Sequence, residues 1–168
     1  REDSISIGSS MLTEVEKAYI AGFLDGDGCV MFQLVRRKDY VFGYQVRASI
    51  VFYQKTIHRE HLEWLKTRLH YGSVRNRIDG MSEYTIVGIP YVQEILEQIG
   101  AYTRLKKSHV ELSQKIFKAV PKRFTPESLI MIGRLVDGFK ELNYSKRRVN
   151  TTAALEEFFR TDTSIVSL

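Results

Sequence analysis

The first regular pattern in the chain is helical. The pair Thr13-x-x-Glu16 opens an apolar run from Val15 to about Gly26, closed by Gly26-Asp27-Gly28. A Thr with Glu three residues later satisfies two amides that a helix start otherwise leaves orphaned, so the pair marks an N-terminus. Residues 29–37 and 44–53, rich in β-branched and aromatic side chains, read as two strands joined by a turn around 38–43. Leu62, Leu65 and Leu69 restore helical spacing over 57–69. A second hairpin, 72–78 and 82–88, turns at Asp79-Gly80. Pro90 opens a helix to Ile99, and 105–119 makes another; Pro121 and Pro126 precede helical segments near 127–143 and 151–160.

The order predicts an α+β fold with an α-β-β-α-β-β-α core. Its four strands form one antiparallel sheet, curved as a saddle, with helices on one face and extra C-terminal helices. A length of 168 residues suits one core and is short for two. The expected organisation is a single domain over 13–160 with tails at 1–12 and 161–168. One cysteine, Cys29, excludes an intrachain disulfide framework and fits a reducing compartment. No apolar run approaches the roughly 20 residues of a membrane span, and Arg1–Ser10 lacks a cationic-then-apolar signal pattern. A membrane partner is therefore not expected.

The net charge of +5 is unevenly spread. Between Gln33 and Arg77 ten Lys/Arg stand against three acids, so this window carries +7 and the remainder is acidic on balance. A solvated charged face accounts for that equally well as a footprint for a polyanion.

The stretch Tyr19-Ile20-Ala21-Gly22-Phe23-Leu24-Asp25-Gly26-Asp27-Gly28 holds the candidate chemistry. Ala18, Gly22 and Gly26 recur every fourth residue, on one helical face. Glycine inside a helix costs about 1 kcal/mol relative to alanine. Small residues in a row compensate when they let a second backbone approach closely, either the chain's own sheet or another helix. Asp25 and Asp27 fall at the carboxyl end of the helix, where the macrodipole disfavours negative charge and calls for a cation. A distant echo, Gly133-Arg134-Leu135-Val136-Asp137-Gly138, has one more residue between glycine and acid, and Phe139 where the first copy has Asp27. It reads as an ordinary core helix.

Ile20–Gly28 resembles the LAGLIDADG motif of the homing endonucleases, matched at Ala21, Gly22, Asp25, Gly26, Asp27 and Gly28. The element order continues the likeness over about 13–120, and one motif in a chain of this length resembles the homodimeric, intron-encoded algal class. The resemblance implies an enzyme that cuts both strands of a long double-stranded DNA site as a homodimer, leaving 3′ overhangs. It implies Mg²⁺ as cofactor, with Ca²⁺ as a non-cleaving substitute and Mn²⁺ as another candidate, and no small-molecule cofactor. Asp27 takes the metal-binding role, assisted by the Gly26 carbonyl. Gln54 takes that of ordering solvent at the scissile phosphate, and Lys106 that of stabilising charge there. His58 stands where relatives place an arginine or lysine. Histidine is only partly charged near neutrality, so His58 is read as a hydrogen-bonding organiser of solvent. His58 and His61 lack the Cys or carboxylate companions of a zinc site. Ala18, Ala21, Gly22, Asp25 and Gly26 are the expected dimer seam. An organellar location, chloroplast before mitochondrion, rests on the resemblance alone.

Alternate residues of a strand share a face. One face of the first hairpin offers Gln33, Val35, Arg37, Gln45, Arg47, Ser49 and Val51; the second offers Ser73, Arg75, Arg77, Glu83 and Thr85. Amide, guanidinium, hydroxyl and carboxylate groups pair with base edges in the major groove. Exposed sheet faces are polar in any case, but here arginine is dense and lysine sparse, and the matching family positions are base contacts. A strand of about nine residues covers ~30 Å, or about nine base pairs, so a dimer reads a pseudo-palindrome of about 18. Arg37, Lys38 and Tyr40 at the hairpin tip, with Lys107, Lys146, Arg147 and Arg148, are candidates for phosphate contact. Two other readings are an RNA maturase sharing the fold and a non-catalytic DNA-binding protein. Intact Asp27, Gln54 and Lys106 argue against the second and leave maturase activity open as an additional function.

Overall fold

A computed structural model describes residues 11–144 and 148–162. Most of the two tails, and the candidate phosphate contacts Lys146 and Arg147, lie outside the described residues. The chain runs α1 (Glu14–Asp27), β1 (Gly28–Arg36), β2 (Tyr44–Lys55), a 3-10 turn (Thr56–His58), α2 (Arg59–Leu69), β3 (Ser73–Asn76), β4 (Met81–Val87), α3 (Ile89–Ile99), a second 3-10 turn (Gly100–Tyr102), α4 (Lys107–Ala119), α5 (Pro126–Asp137), α6 (Phe139–Leu142) and α7 (Thr152–Thr161). The capping box at the first helix is present: the Thr13 hydroxyl accepts from the Glu16 N–H at 3.2 Å, and the Glu16 carboxylate accepts from the Thr13 N–H at 2.9 Å.

The two hairpins join into one antiparallel sheet of order β1-β2-β4-β3. Phe32 and Leu34 of β1, Ala48, Ile50 and Phe52 of β2, and Tyr84 and Ile86 of β4 share one buried face. Helices α1, α2, α3, α4 and α5 all pack on that side. Fully burying each Leu, Ile or Phe among them contributes about 1.5–3 kcal/mol, which is what holds this layer together. The opposite face carries Met31, Gln33, Gln45, Arg47, Thr85 and Ser73 in register across the strands, and no other described element packs over it; Ser49, of the same parity, is 4% exposed, too buried for the base contact assigned to it.

Several boundaries differ from the sequence pattern, each for a local reason. The helix expected over 105–119 begins at Lys107, because the Lys106 N–H is taken by the Asp25 carboxylate at 2.9 Å. The segment 127–143 splits at Gly138, where a Cβ would stand 3.1 Å from a Leu112 methyl, so the chain bends to pass α4. Strand β3 is shorter than the predicted 72–78, and Arg77 leaves the sheet after one further bond, its N–H donating to Met81 C=O at 2.7 Å. Arg148 is not a phosphate contact. Its guanidinium reaches inward and donates to Phe32 C=O at 3.2 Å and Val136 C=O at 3.1 Å, tying the segment before α7 to β1 and α5. The echo Gly133–Gly138 is a core helix, as expected: Gly133 is buried and packs beside Leu34, Thr152 and Leu155.

Candidate functional site

Helix α1 ends on Asp27, with Gly28 capping it by donating its N–H to Leu24 C=O. No basic side chain lies in the last turn of α1, so the cation that the helix dipole calls for must come from elsewhere in the fold. It comes from the start of α4. The Asp25 carboxylate accepts from the N–H groups of Arg104 at 2.7 Å and Lys106 at 2.9 Å, and the Lys106 ammonium lies 3.4 Å from Asp25 C=O. Two residues assigned separately in the sequence are thereby brought together. Asp27 differs from Asp25: it is exposed, and its carboxylate has no hydrogen-bond or ion-pair partner among the described residues. The Gly26 carbonyl lies in the same last turn, among those that a helix leaves without an intrahelical donor.

Hard oxygen donors beside a helix C-terminus suit Mg²⁺ or Ca²⁺. Among the described residues of one chain, however, no group of three His, Cys, Asp or Glu converges as a metal site. At the end of α1 the described residues of one chain offer one carboxylate without a partner, Asp27, so the donor set there fits a divalent ion only when a second chain adds its own.

Gln54 lies at the end of β2. Gly28, the residue that follows α1, pairs with Phe52, two residues before Gln54 on the same strand, and Gln54 itself pairs with Ser82 of β4. Its Oε1 accepts from Lys55 N–H at 2.9 Å, leaving the amide NH₂ to donate outward. His58 ends the 3-10 turn after β2 and is exposed. His61 faces away from any metal role: its Nε2 lies 3.2 Å from the Tyr19 hydroxyl, and its ring stacks on Trp64 and meets Phe23 edge-on.

No described residue covers the outer face of α1. Ala18, Gly22 and Gly26 are exposed, and a Cβ added at either glycine would meet nothing within 4 Å. Val15 and Tyr19 flank this row and are exposed as well. Two seam assignments need correction. Ala21 is 0% exposed and packs into the chain's own core, one hundred degrees around the helix from Gly22. Asp25 spends both carboxylate oxygens on residues 104 and 106 of its own chain.

On the open sheet face Gln33 lies opposite Arg47, Val51 opposite Thr85, and Thr85 opposite Ser73. Arg75 lies opposite Glu83, and its Nε donates to Glu83 Oε1 at 2.5 Å. Glu83 is only 8% exposed, so it orients Arg75 rather than standing free for a base, which corrects its assignment as an independent contact. Arg77 pairs with Asp79 at 2.8 Å, and Arg37 with Asp39 at 3.1 Å while its guanidinium lies over the Tyr40 ring; these pairs are exposed. Lys38, Tyr40 and Lys107 are exposed too. Met31, Tyr53 and Lys55 belong to the same face by strand parity. Counting β1 back two residues from Gln33, and β2 on from Val51 to its end, would have found them.

One supporting group had no sequence signal. His109, one turn after Lys106, has Nε2 2.9 Å from Asn143 Oδ1, and the Asn143 amide donates to Val30 C=O at 3.1 Å. Burial pushes the His109 imidazole below its usual value, so it stays neutral. This bridge holds the start of α4, and with it Lys106, against β1. Burial likewise pushes the Cys29 thiol up, which leaves it a poor nucleophile.

A carboxylate without a partner, a nearby ammonium and a polar sheet rich in arginine are the parts of a site that hydrolyses phosphodiesters. A family model described as LAGLIDADG endonuclease matches residues 20–120. DNA endonuclease I-CvuI of Chlorella vulgaris is 37% identical over 80% of this chain and 84% of that protein. DNA endonuclease I-CreI of Chlamydomonas reinhardtii is 31% identical over 80% and 82%. A crystal structure of I-CvuI with the I-CreI target in 2 mM Mg, its DNA not cleaved, matches with a TM-score of 0.82 at 35% identity, over 88% of this chain and 94% of that one. I-SmaMI, bound to an uncleaved DNA target in the presence of calcium ions, matches in fold with a TM-score of 0.69 at 20% identity, over 86% of this chain and 49% of that one. The chain belongs to the LAGLIDADG endonuclease family.

Proposed function

We propose that the chain is a site-specific homing endonuclease that acts as a homodimer and cuts both strands of a pseudo-palindromic DNA site of about 18 base pairs. The observation that carries this reading is the end of α1, where an Asp27 carboxylate without a partner sits beside an uncovered row of Ala18, Gly22 and Gly26. Two such helices packed row to row bring both Asp27 carboxylates to one twofold axis. The carboxylates and the Gly26 carbonyls would hold Mg²⁺, with Ca²⁺ as a non-cleaving substitute and Mn²⁺ as an alternative. When bound, the ion supplies an activated water and charge stabilisation at the leaving 3′ oxygen.

The chain's own groups supply the rest. Asp25 fixes the backbone of 104–106 and so positions the Lys106 ammonium for charge growing on the scissile phosphate. Gln54, through its free amide NH₂, orders water near that phosphate. His58 does the same by hydrogen bonding. The open sheet face lies in the major groove, where Gln33, Gln45, Arg47, Ser73, Arg75, Arg77 and Thr85 meet base edges. Arg37, Lys38, Tyr40 and Lys107 contact the backbone and set affinity and salt dependence rather than sequence. Cleavage leaves 3′ overhangs. The protein acts in an organelle, the chloroplast before the mitochondrion, in keeping with algal relatives.

The test is cleavage of a randomised DNA library by wild-type and Asp27→Asn protein, with and without Mg²⁺. Cuts are expected only with metal, and from Asp27→Asn at a rate lower by about 10²–10³; cleavage by Asp27→Asn at the wild-type rate would overturn the site assignment. Sedimentation at concentrations that saturate DNA should find a dimer; a monomer would remove the twofold site. A His58→Lys enzyme far more active at alkaline pH would show that a missing cation limits the reaction and overturn the role given to His58.

A further inference from the structure

Lys106 is held from a second side. It is the capping residue of α4 but makes no side-chain capping bond, and Asp25 fixes only the backbone that leads into it. One anchor at the end of a helix leaves that helix free to pivot about it. The second anchor comes from the next turn. His109, in the first turn of α4, is 7% exposed, and its Nε2 lies 2.9 Å from Asn143 Oδ1. Asn143 follows α6, where its own N–H donates to Phe139 C=O at 3.0 Å. Its amide nitrogen donates to Val30 C=O at 3.1 Å, and the Cys29 thiol lies 3.8 Å from its Oδ1. One side chain thus joins α4 to β1, the strand that follows directly on Asp27.

The chemistry of each group fixes the direction of these bonds. A backbone carbonyl only accepts, so the Asn143 nitrogen faces Val30 and its oxygen faces His109. That oxygen also only accepts, so the proton on the His109 ring sits on Nε2. Burial holds the imidazole below its usual value, so the ring is neutral and Nδ1 is bare. We propose that Asn143, acting through the Nε2–H tautomer of His109, is a positioning residue for cleavage that sets where the Lys106 ammonium stands. The inference rests on the reading of Lys106 as the cation at the scissile phosphate. Displacing such a group by about 1 Å can cost about 10²-fold in rate. DNA affinity comes from the sheet face and the hairpin tip, so it is expected to stay nearly constant while the rate falls.

In the free protein, without DNA or metal, the nitrogen chemical shifts of the His109 ring at neutral pH should show a protonated Nε2 and a bare Nδ1. A proton on Nδ1 instead overturns the proposal, whatever becomes of the endonuclease reading. Single-turnover cleavage is then measured at saturating Mg²⁺ on a duplex that the wild type selects from the randomised library, with affinity for that duplex measured in Ca²⁺. Asn143→Ala and His109→Leu should each slow cleavage about 10- to 100-fold and leave affinity nearly unchanged. His109→Gln, whose amide nitrogen stands near the place of Nε2, should recover most of that loss. Wild-type rates from Asn143→Ala and His109→Leu, or a loss of affinity alone, overturn the proposal. Because lost packing could also slow the enzyme, the deciding measurement is a cycle with Lys106→Ala, in which Asn143→Ala should slow cleavage no further. A second loss of the same size there overturns the proposal and leaves the role of Lys106 standing. A Lys106→Ala enzyme that cleaves at the wild-type rate overturns both.

Discussion

Gly22-Phe23-Leu24-Asp25-Gly26 in α1 and Gly133-Arg134-Leu135-Val136-Asp137-Gly138 in α5 read alike: glycine, an apolar middle, an aspartate, a second glycine. In α5 both glycines are used within the chain. A Cβ at Gly133 would stand 2.9 Å from the Thr152 hydroxyl, and one at Gly138 would stand 3.1 Å from Leu112. In α1 the same substitution at Gly22 or Gly26 meets open space. Glycine costs the helix about as much in both places, but only α5 recovers it inside one chain. The α1 row makes sense as half of a contact. The aspartates divide similarly. Asp137 accepts from Thr152 N–H at 3.1 Å and Asp25 from residues 104 and 106, whereas Asp27 has no counterpart in α5 and keeps its carboxylate free.

Replacing the glycines separates the two uses most sharply. Gly22→Leu should leave the melting temperature of the isolated chain nearly unchanged but weaken dimer association by about 2–6 kcal/mol, since a twofold interface repeats an overpacking cost of about 1–3. Gly133→Leu should do the reverse, lowering stability by about 1–3 kcal/mol with the association constant of the folded fraction unaltered. Sedimentation and thermal melting of both variants decide; a Gly22→Leu dimer of wild-type affinity would remove the seam. The aspartates give the next contrast. Asp27→Asn should cost about 10²–10³ in cleavage with DNA binding retained, as losing one preorganised charge contact does. Asp137→Asn should instead cost about 1.5 kcal/mol of stability through its weakened bond to Thr152, and keep activity below the melting transition. Activity lost from Asp137→Asn at full folding would break the distinction.

Two smaller effects concern the sheet and the start of α1. Arg77→Ala should reduce discrimination at particular base pairs by about 1–3 kcal/mol in a binding-site selection. Uniform weakening on every sequence would move Arg77 to the phosphate backbone. The Arg68 guanidinium, donating to Glu16 at 2.8 Å, holds that carboxyl below its ordinary value of 4.5. A carboxylate with a lowered folded value stabilises above the unfolded value and loses that contribution as pH falls through the folded one. Glu16→Gln should therefore reduce stability at neutral pH and flatten the acid limb below about pH 4.5, read from melting temperature against pH.

Much of this was legible in the text of the chain, where local physics decides. The Thr13-Glu16 box, the two hairpins and the leucine spacing of α2 depend on neighbours within four residues or on one buried face, so pattern located each element within a few positions. Strand parity likewise set Gln33, Arg47, Ser73 and Arg75 on one surface before any contact was known. Boundaries shifted where a distant group took over a local bond. Asp25 claims the amide of Lys106 from 81 residues away, Leu112 bends the chain at Gly138, and Arg148 turns inward to carbonyls of β1 and α5. No spacing rule reaches that far.

The sequence by itself determined which residues could do chemistry at all: two aspartates at a helix end, a row of small residues, and a sheet face dense in arginine. Tertiary structure decided which of them are free to do it. Packing buried Ala21, committed Asp25 to the loop before α4, and paired Glu83 with Arg75, because a buried polar or apolar group is taken by whichever partner the fold sets beside it. It left Asp27 and the outward glycines of α1 without one, and exposure of that kind depends on what every other segment covers.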